Sequence, residues 1–251
     1  MCTGLVLLVT VLIAPTSGSS SEQGVQFRLE KSVEQPTGPT GRVSDDQLAL
    51  LEKINRVDRD HLANLQELVV PEPWTLDERA YVNLPLWYEP IEGLPKLLMV
   101  HLPAQVFGAY ELGVLVRWGP LSSGARGSPT PNGLFHLNWR SRGHASSINP
   151  KWFMRWYFNF GNREGLAIHQ YALPGLPASH GCVRLLEGDA QWLFDWGDAW
   201  ALDRSGNGIA RTGTLVWIIG QYDFDAPPPW RSVAWLSQPL QLPPFPGAQT
   251  H

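Results

Sequence analysis

Cysteine is nearly missing from this chain. Its 251 residues hold two, Cys2 at the front of an apolar N-terminal run and Cys182 within Ser179-His180-Gly181-Cys182-Val183-Arg184. Two cysteines exclude a disulfide framework as the source of stability, and loss of the N-terminal run on export would leave Cys182 unpaired. A basic excess is missing too: the formal net charge is −4 and no basic face is evident. Nucleic acid is therefore not an expected partner, because neutralising phosphates requires Lys and Arg gathered on one side. Long apolar runs are lacking beyond the N-terminus, so no membrane span is expected once that segment is removed. Familiar zinc spacing such as HExxH does not occur, and neither a metal nor another cofactor is expected. Nothing in the sequence speaks to oligomeric state.

Aromatic residues, by contrast, are plentiful. Twelve tryptophans and nine phenylalanines supply apolar area that a core can bury without disulfides. Tryptophan also lines sugar-binding grooves, but core packing is the expected use for most of these.

The apolar run from Leu5 to Ala14, followed by small and polar residues from Pro15 to Ser21, has the length of a signal-peptide core and is too short to cross a bilayer as a helix. Residues 1–20 are expected to be a cleaved signal peptide, although no basic segment precedes the run; a buried or frayed terminal strand is the competing reading. A lipoprotein is excluded, since Cys2 precedes the apolar run instead of ending it. Residues 21–42, rich in Ser, Gly, Pro and Thr without a hydrophobic period, read as a linker.

From Ser44, an expected N-cap, Leu48, Leu51, Ile54 and Val57 and then Leu62, Leu65 and Leu68 recur at helical spacing, which predicts one or two short helices within a small helical segment over 43–74. The main domain is expected over 95–221. Strand-like runs at Leu97–Leu102, Gln105–Tyr110 and Val114–Trp118 are split by Pro103 and Leu112-Gly113, the pattern of consecutive antiparallel strands. Further strands are expected at 133–138, 166–169 and 214–220, with a helix at 189–200 whose Trp192 and Trp196 read as a core stripe. Residues 222–251, proline-rich at 227–229 and 242–246, read as an irregular tail wrapping the surface.

An unpaired exported thiol has not been spent on a disulfide, so a reactive role comes first. Sulfur attacks as thiolate, and a free thiol with a pKa of about 8.5 is only a few per cent ionised at neutral pH. His169 and His180 both precede Cys182, one a short loop upstream and the other two residues before it, and a histidine within reach can take the thiol proton and return one to a leaving amine. Gly181 permits tight backbone that could turn the Gly181 and Cys182 N–H groups toward an oxyanion, donors worth roughly 3–4 kcal/mol each in characterised acyl-transfer sites. Ser179 is expected to shape the loop through its backbone. His180 reads as support for the loop, the substrate or the thiolate more than as the base. Arg184 offers a fixed cationic fork for a carboxylate, unless a salt bridge to Glu187 or Asp189 consumes it. His136, His144 and Tyr171 are candidates for lining the site.

Three pieces line up in order: Ser128-Pro129-Thr130-Pro131-Asn132-Gly133-Leu134-Phe135, then Gly165-Leu166-Ala167-Ile168-His169, then Ser179-His180-Gly181-Cys182-Val183-Arg184-Leu185. Together they resemble the L,D-transpeptidase (YkuD-type) catalytic domain of bacterial cell-wall enzymes, over roughly Leu97 to Gly220. The resemblance implies a mainly β fold, an antiparallel sandwich-like sheet structure with short helices. It implies that Cys182 is the nucleophile and His169 the base of acyl transfer through a thioester. The donor would be a peptidoglycan stem tetrapeptide that loses its terminal D-Ala, and the acceptor an amine, giving 3-3 cross-links or D-amino acid exchange. Hydrolysis of the same thioester, by an L,D-carboxypeptidase or endopeptidase, is the alternative. The implied location is the periplasm or cell envelope of a bacterium. Gln170 departs from the family's frequent Gly, and the short loop to Ser179 carries Pro174, Gly175 and Pro177, which is expected to narrow the cleft.

The pieces Ile54-Asn55 and Leu68-Val69-Val70-Pro71 also resemble the second half of a LysM peptidoglycan-binding module, with a helical brace against the next domain as the competing reading. On the LysM reading, a chain beginning near residue 75 keeps its chemistry on small soluble substrates and binds intact sacculi less well. Two other classes stand beside the enzyme: a zinc hydrolase using His169, His180 and Cys182 as ligands, and a non-catalytic wall-binding protein, which has no use for a reactive thiol.

Overall fold

Ser44 opens the first long helix as an N-cap with a reciprocal bond. Its hydroxyl accepts from Gln47 N at 3.2 Å while Gln47 Oε1 accepts from Ser44 N at 2.9 Å, so two helix-end donors are satisfied at once. The computed structural model describes residues 25–31, 43–75, 77–146 and 148–247. The expected signal peptide and most of the expected linker lie outside the described residues.

The N-terminal unit runs β1 (Gln26–Lys31), α1 (Asp45–Asn55), α2 (Arg59–Leu62) and β2 (Glu67–Glu72), with β1 and β2 paired antiparallel. Residues 26–31, read as linker, are thus a strand. The segment alternates only loosely, Phe27 alone being buried in it, and a single buried side chain leaves no period to read. The strand lies ahead of the segment over 43–74 and pairs with its last element, β2.

The unit does not stand apart. Phe27, Leu50, Ile54 and Val69 belong to the same buried cluster as Leu97, Met99, Trp118 and Trp217 of the main domain. Arg56 ends α1 in the left-handed region (φ 60) and is 1% exposed; its Nε donates to Ala104 O at 3.2 Å and its guanidinium lies 5.6 Å from the Trp118 ring. Lys53 bonds Glu78 at 2.5 Å and lies 3.9 Å from the buried Asp189. These contacts are those of a brace.

The main domain supplies β3 (Leu97–His101), β4 (Val106–Glu111), β5 (Val114–Ser122), β6 (Gly133–His136), β7 (Arg140–Ala145), β8 (Phe153–Gly161), β9 (Leu166–Gln170), β10 (Val183–Leu185), α3 (Glu187–Trp196), β11 (Ala201–Leu202), β12 (Ile209–Arg211) and β13 (Leu215–Ile219), followed by α4 (Val233–Leu236). The fold is mainly β. One nine-stranded sheet has the order β6-β13-β3-β4-β5-β10-β9-β8-β7. It is mostly antiparallel, as expected, with two parallel pairs: β13 with β3 and β10 with β9. β3 and β13 are distant in sequence, while β9 and β10 are consecutive strands joined by the connection 171–182; neither pairing is a hairpin, so the local hairpin pattern does not reveal it.

The sheet curls on itself. Leu98, Val100, Phe107 and Ala109 from one half share a core with Phe158, Phe160, Ile168, Val183 and Leu185 from the other, and the Phe135 ring meets Phe160 edge-on at 5.4 Å. β10, β9 and β8 lie side by side in the sheet and form the surface that carries the site.

Two local expectations change. Trp192 and Trp196 stack at 5.2 Å but are only half-buried, flanked by Arg117 and Lys96; Ala190, Leu193 and Phe194 fill the core side of α3 instead. Cation–π contacts let the indoles stay near the surface. The C-terminal tail, for its part, contributes Trp230, Leu236 and Phe245 to the core beside Trp217.

Candidate active site

Cys182 immediately precedes β10, and the loop that presents it is fastened by the hydroxyls of Ser179 and Thr130. Ser179, 2% exposed, accepts from Gly181 N at 3.1 Å and donates to Cys182 O at 2.5 Å, closing the turn on itself. Thr130 Oγ1 donates to Gly181 O at 2.9 Å and accepts from Gly124 N at 2.9 Å. The Pro-Thr-Pro segment is therefore the support on which the thiol loop rests. Its role had no local signal in the sequence, because the bond spans residues 130 and 181.

Gly181 sits at φ 102, and a Cβ there would come within 2.9 Å of Leu166 Cδ2. Backbone conformation and this close approach demand the glycine. Its N–H is already engaged by Ser179 and so is not free to face an oxyanion.

His169 lies on β9 and is the register partner of Arg184 on β10. Side chains paired across parallel strands project to the same face, so the imidazole and the guanidinium share the side of the sheet on which the cleft lies. His169 Nδ1 is 2.9 Å from the Gln170 carbonyl oxygen. A carbonyl only accepts, so the proton sits on Nδ1 and leaves Nε2 with its lone pair. His169 is 4% exposed, and burial pushes its pKa down to about 4. The half-buried Cys182 thiol is pushed up, again chiefly by burial, opposed by the Ala167 N–H and by the positive charge of Arg184. At neutral pH the pair rests as thiol and neutral imidazole.

Arg184 keeps its charge for the cleft. Glu187 pairs with Arg155 at 2.7 Å and Asp189 with Arg117 at 2.7 Å, and among the described residues no carboxylate pairs with Arg184. Its guanidinium instead lies 4.8 Å from the Tyr171 ring centre, and Tyr171 meets His169 edge-on at 6.1 Å. The salt bridge weighed from sequence is not formed.

Cys182, His169, His180, Ser179 and Arg184 all line one cleft of about 200 Å³. His144 and Tyr171 line it too. His136 does not; it pairs with Leu215 on β13. His180 is exposed, its ring packed on Trp152 at 5.2 Å. Among the described residues, no three His, Cys, Asp or Glu side chains gather as a metal site.

Of one wall the sequence reading named only His144; Trp139 and Tyr157 escaped it. Trp139, His144 and Tyr157 pack ring on ring at 4.5–5.5 Å, and Tyr157 stacks on His169 at 6.3 Å. Tyr157 Oη donates to Gly165 O at 3.4 Å, the carbonyl that Cys182 Sγ also approaches at 3.8 Å. The aromatic run of β8 was a usable strand signal. A left-handed residue, Trp156 at φ 54, shifts the register between Arg155 and Phe158 and breaks the alternation.

The L,D-transpeptidase catalytic domain (YkuD) family model matches residues 95–218. Among solved structures, the chain is similar to an L,D-transpeptidase from Stackebrandtia nassauensis at 25% identity, with 51% of this chain and 57% of that one covered and a TM-score of 0.41. It is similar to one from Xylanimonas cellulosilytica at 31% identity, covering 49% and 60% with a TM-score of 0.38. Another, from Mycobacterium tuberculosis, is 21% identical, with 50% and 58% covered and a TM-score of 0.39. The chain spans roughly three fifths of the length of these structures. No curated protein matches it. Residues 95–218 belong to the L,D-transpeptidase (YkuD) catalytic-domain family.

Proposed function

We propose that this protein is an exported, cysteine-dependent L,D-transpeptidase acting on peptidoglycan stem peptides in the bacterial envelope. The reading is supported chiefly by one observation: an unpaired cysteine, a histidine with a free Nε2 and a cation without a carboxylate partner line the same cleft.

Neutral partners suit the chemistry. His169 Nε2 takes the Cys182 proton as sulfur attacks the carbonyl of the third residue of a stem tetrapeptide. The tetrahedral intermediate collapses by breaking the amide bond, the imidazolium protonates the departing nitrogen, and D-Ala leaves. An incoming amine then gives a proton to His169 as its nitrogen attacks the thioester, and the thiol is restored when the C–S bond breaks. A buried imidazole with a low pKa is a weak base toward a free thiol, so proton transfer is driven by bond formation at the carbonyl. With the Gly181 N–H held by Ser179, the oxyanion is stabilised by other donors of the cleft.

Arg184 holds a carboxylate of the stem peptide, and the aromatic wall of Trp139, His144 and Tyr157 excludes water while the thioester waits for an amine. Incubation of the purified protein with tetrapeptide and excess D-Met, read by mass, tests the reading. A stem whose fourth residue has become Met is expected. Tripeptide as the sole product at every amine concentration means a carboxypeptidase, with Cys182 and His169 in the same roles.

A further inference from the structure

The segment that joins the base strand to the nucleophile loop is held at its middle by the N-terminal unit. Residues 171–178 run from the end of β9 to Ser179, and the far end is tied within the main domain, where Ala178 N donates to Ser123 O at 3.0 Å. Leu173, at the middle, is fully buried, and both of its backbone polar groups go to one residue of the other unit. Leu173 N donates to Asp58 Oδ2 at 2.8 Å, and Asp58 N donates to Leu173 O at 3.0 Å. Val57 and Pro174 form a β-bridge beside them.

Asp58 does not merely follow the loop. It is the N-cap of α2, where Oδ1 accepts from His61 N at 3.0 Å and lies 2.6 Å from His61 Nδ1. The helix therefore sets the carboxylate, and the carboxylate sets Leu173. Two residues upstream, Tyr171 carries the ring that packs on the Arg184 guanidinium and meets His169 edge-on.

We infer that Asp58 is a positioning residue for the thiol site: by pinning Leu173 it fixes Tyr171, and through Tyr171 the orientation of Arg184 and His169. The N-terminal brace is in this way part of the active-site scaffold. The inference rests on Cys182 and His169 being the reacting groups. An unpinned loop lets Tyr171 leave Arg184, and displacements of about 1 Å at a remote support can cost roughly 100-fold in rate.

The test uses the full chain carrying Asp58→Ala, with Asp58→Asn as a second variant that keeps the shape but offers one acceptor oxygen to two N–H donors. Tetrapeptide kcat and KM, the thermal midpoint, and the pH profile of Cys182 alkylation by iodoacetamide are measured together. Asp58→Ala is expected to lower kcat/KM by roughly 10- to 100-fold and to move the alkylation profile to higher pH, as Arg184 is no longer held beside the thiol; Asp58→Asn moves both the same way by less. Glu52→Ala, which removes the Glu52–Arg59 ion pair of the same unit, is the control for simple loss of stability and leaves both readouts unchanged. A folded Asp58→Ala, or a folded Asp58→Asn where the first variant does not fold, with wild-type kinetics and alkylation profile overturns the inference. Absence of tetrapeptide turnover in the unmodified protein sinks the proposed reaction instead, and the alkylation profile alone then decides the role of Asp58.

Discussion

Thr130 Oγ1 donates to the Gly181 carbonyl while accepting from Gly124 N, both at 2.9 Å, so one hydroxyl couples the Pro-Thr-Pro segment to the backbone beside the thiol. Thr130 is 5% exposed. We predict that Thr130→Val, which keeps the shape and deletes the hydroxyl, leaves two buried backbone groups unpaired and costs ~1–3 kcal/mol of stability. Turnover should fall with it, and Thr130→Ser should restore both. Urea unfolding beside a D-Ala release assay reads the two effects; Thr130→Val with unchanged activity would remove the coupling.

Cys182→Ala should abolish D-Ala release, and His169→Ala should leave a small residue of activity, because nucleophile and base act as one unit. Both variants should keep the far-ultraviolet circular dichroism spectrum of the parent. Full turnover in Cys182→Ala rules out the thioester.

Stability should depend on pH through two buried histidines. His101 and His169 are each held near a pKa of about 4 by burial, against an ordinary value of 6.5. Below pH 6.5 the unfolded chain takes up protons that the folded chain refuses until about pH 4, so stability is full above 6.5 and declines between these limits. The urea midpoint should fall steadily from pH 7 to pH 4, and His101→Gln should flatten part of that slope. A midpoint constant over this range means that the two imidazoles are not held neutral.

Arg184→Lys should preserve the charge and lose the orientation. A lysine keeps neither the planar stack on Tyr171 nor the fork for a carboxylate. We expect a rise in KM for tetrapeptide of roughly tenfold, about 1.4 kcal/mol of binding, with a smaller change for a donor lacking the recognised carboxylate. Steady-state kinetics on the two donors make the comparison.

A chain starting near residue 75 should not behave as an independent domain. Removing the N-terminal unit strips Phe27, Leu50, Ile54 and Val69 from the core, uncovers Trp118 and deprives Ala104 O and Leu173 of their partners Arg56 and Asp58. Each Å² of apolar surface so uncovered costs roughly 25 cal/mol of stability. Aggregation or a lost cooperative transition is expected; a soluble, fully active truncation would show that the brace is dispensable.

Sequence alone determined the parts of this protein whose signals are local. The capping box at Ser44, the strands at residues 97–101 and 106–111, and the thiol, imidazole and arginine in their order along the chain are written in short windows, because hydrogen-bond caps, side-chain alternation and motif spacing act over a few residues. Tertiary structure decided what depends on residues far apart. The parallel pairing of β9 with β10 puts His169 beside Arg184, the bulge at Trp156 turns Tyr157 into the cleft wall, and Asp58 reaches a loop more than a hundred positions away. It also decided the protonation of the pair. Burial sets the pKa of His169 and Cys182, and burial is a property of the whole fold, which no stretch of sequence around either residue records.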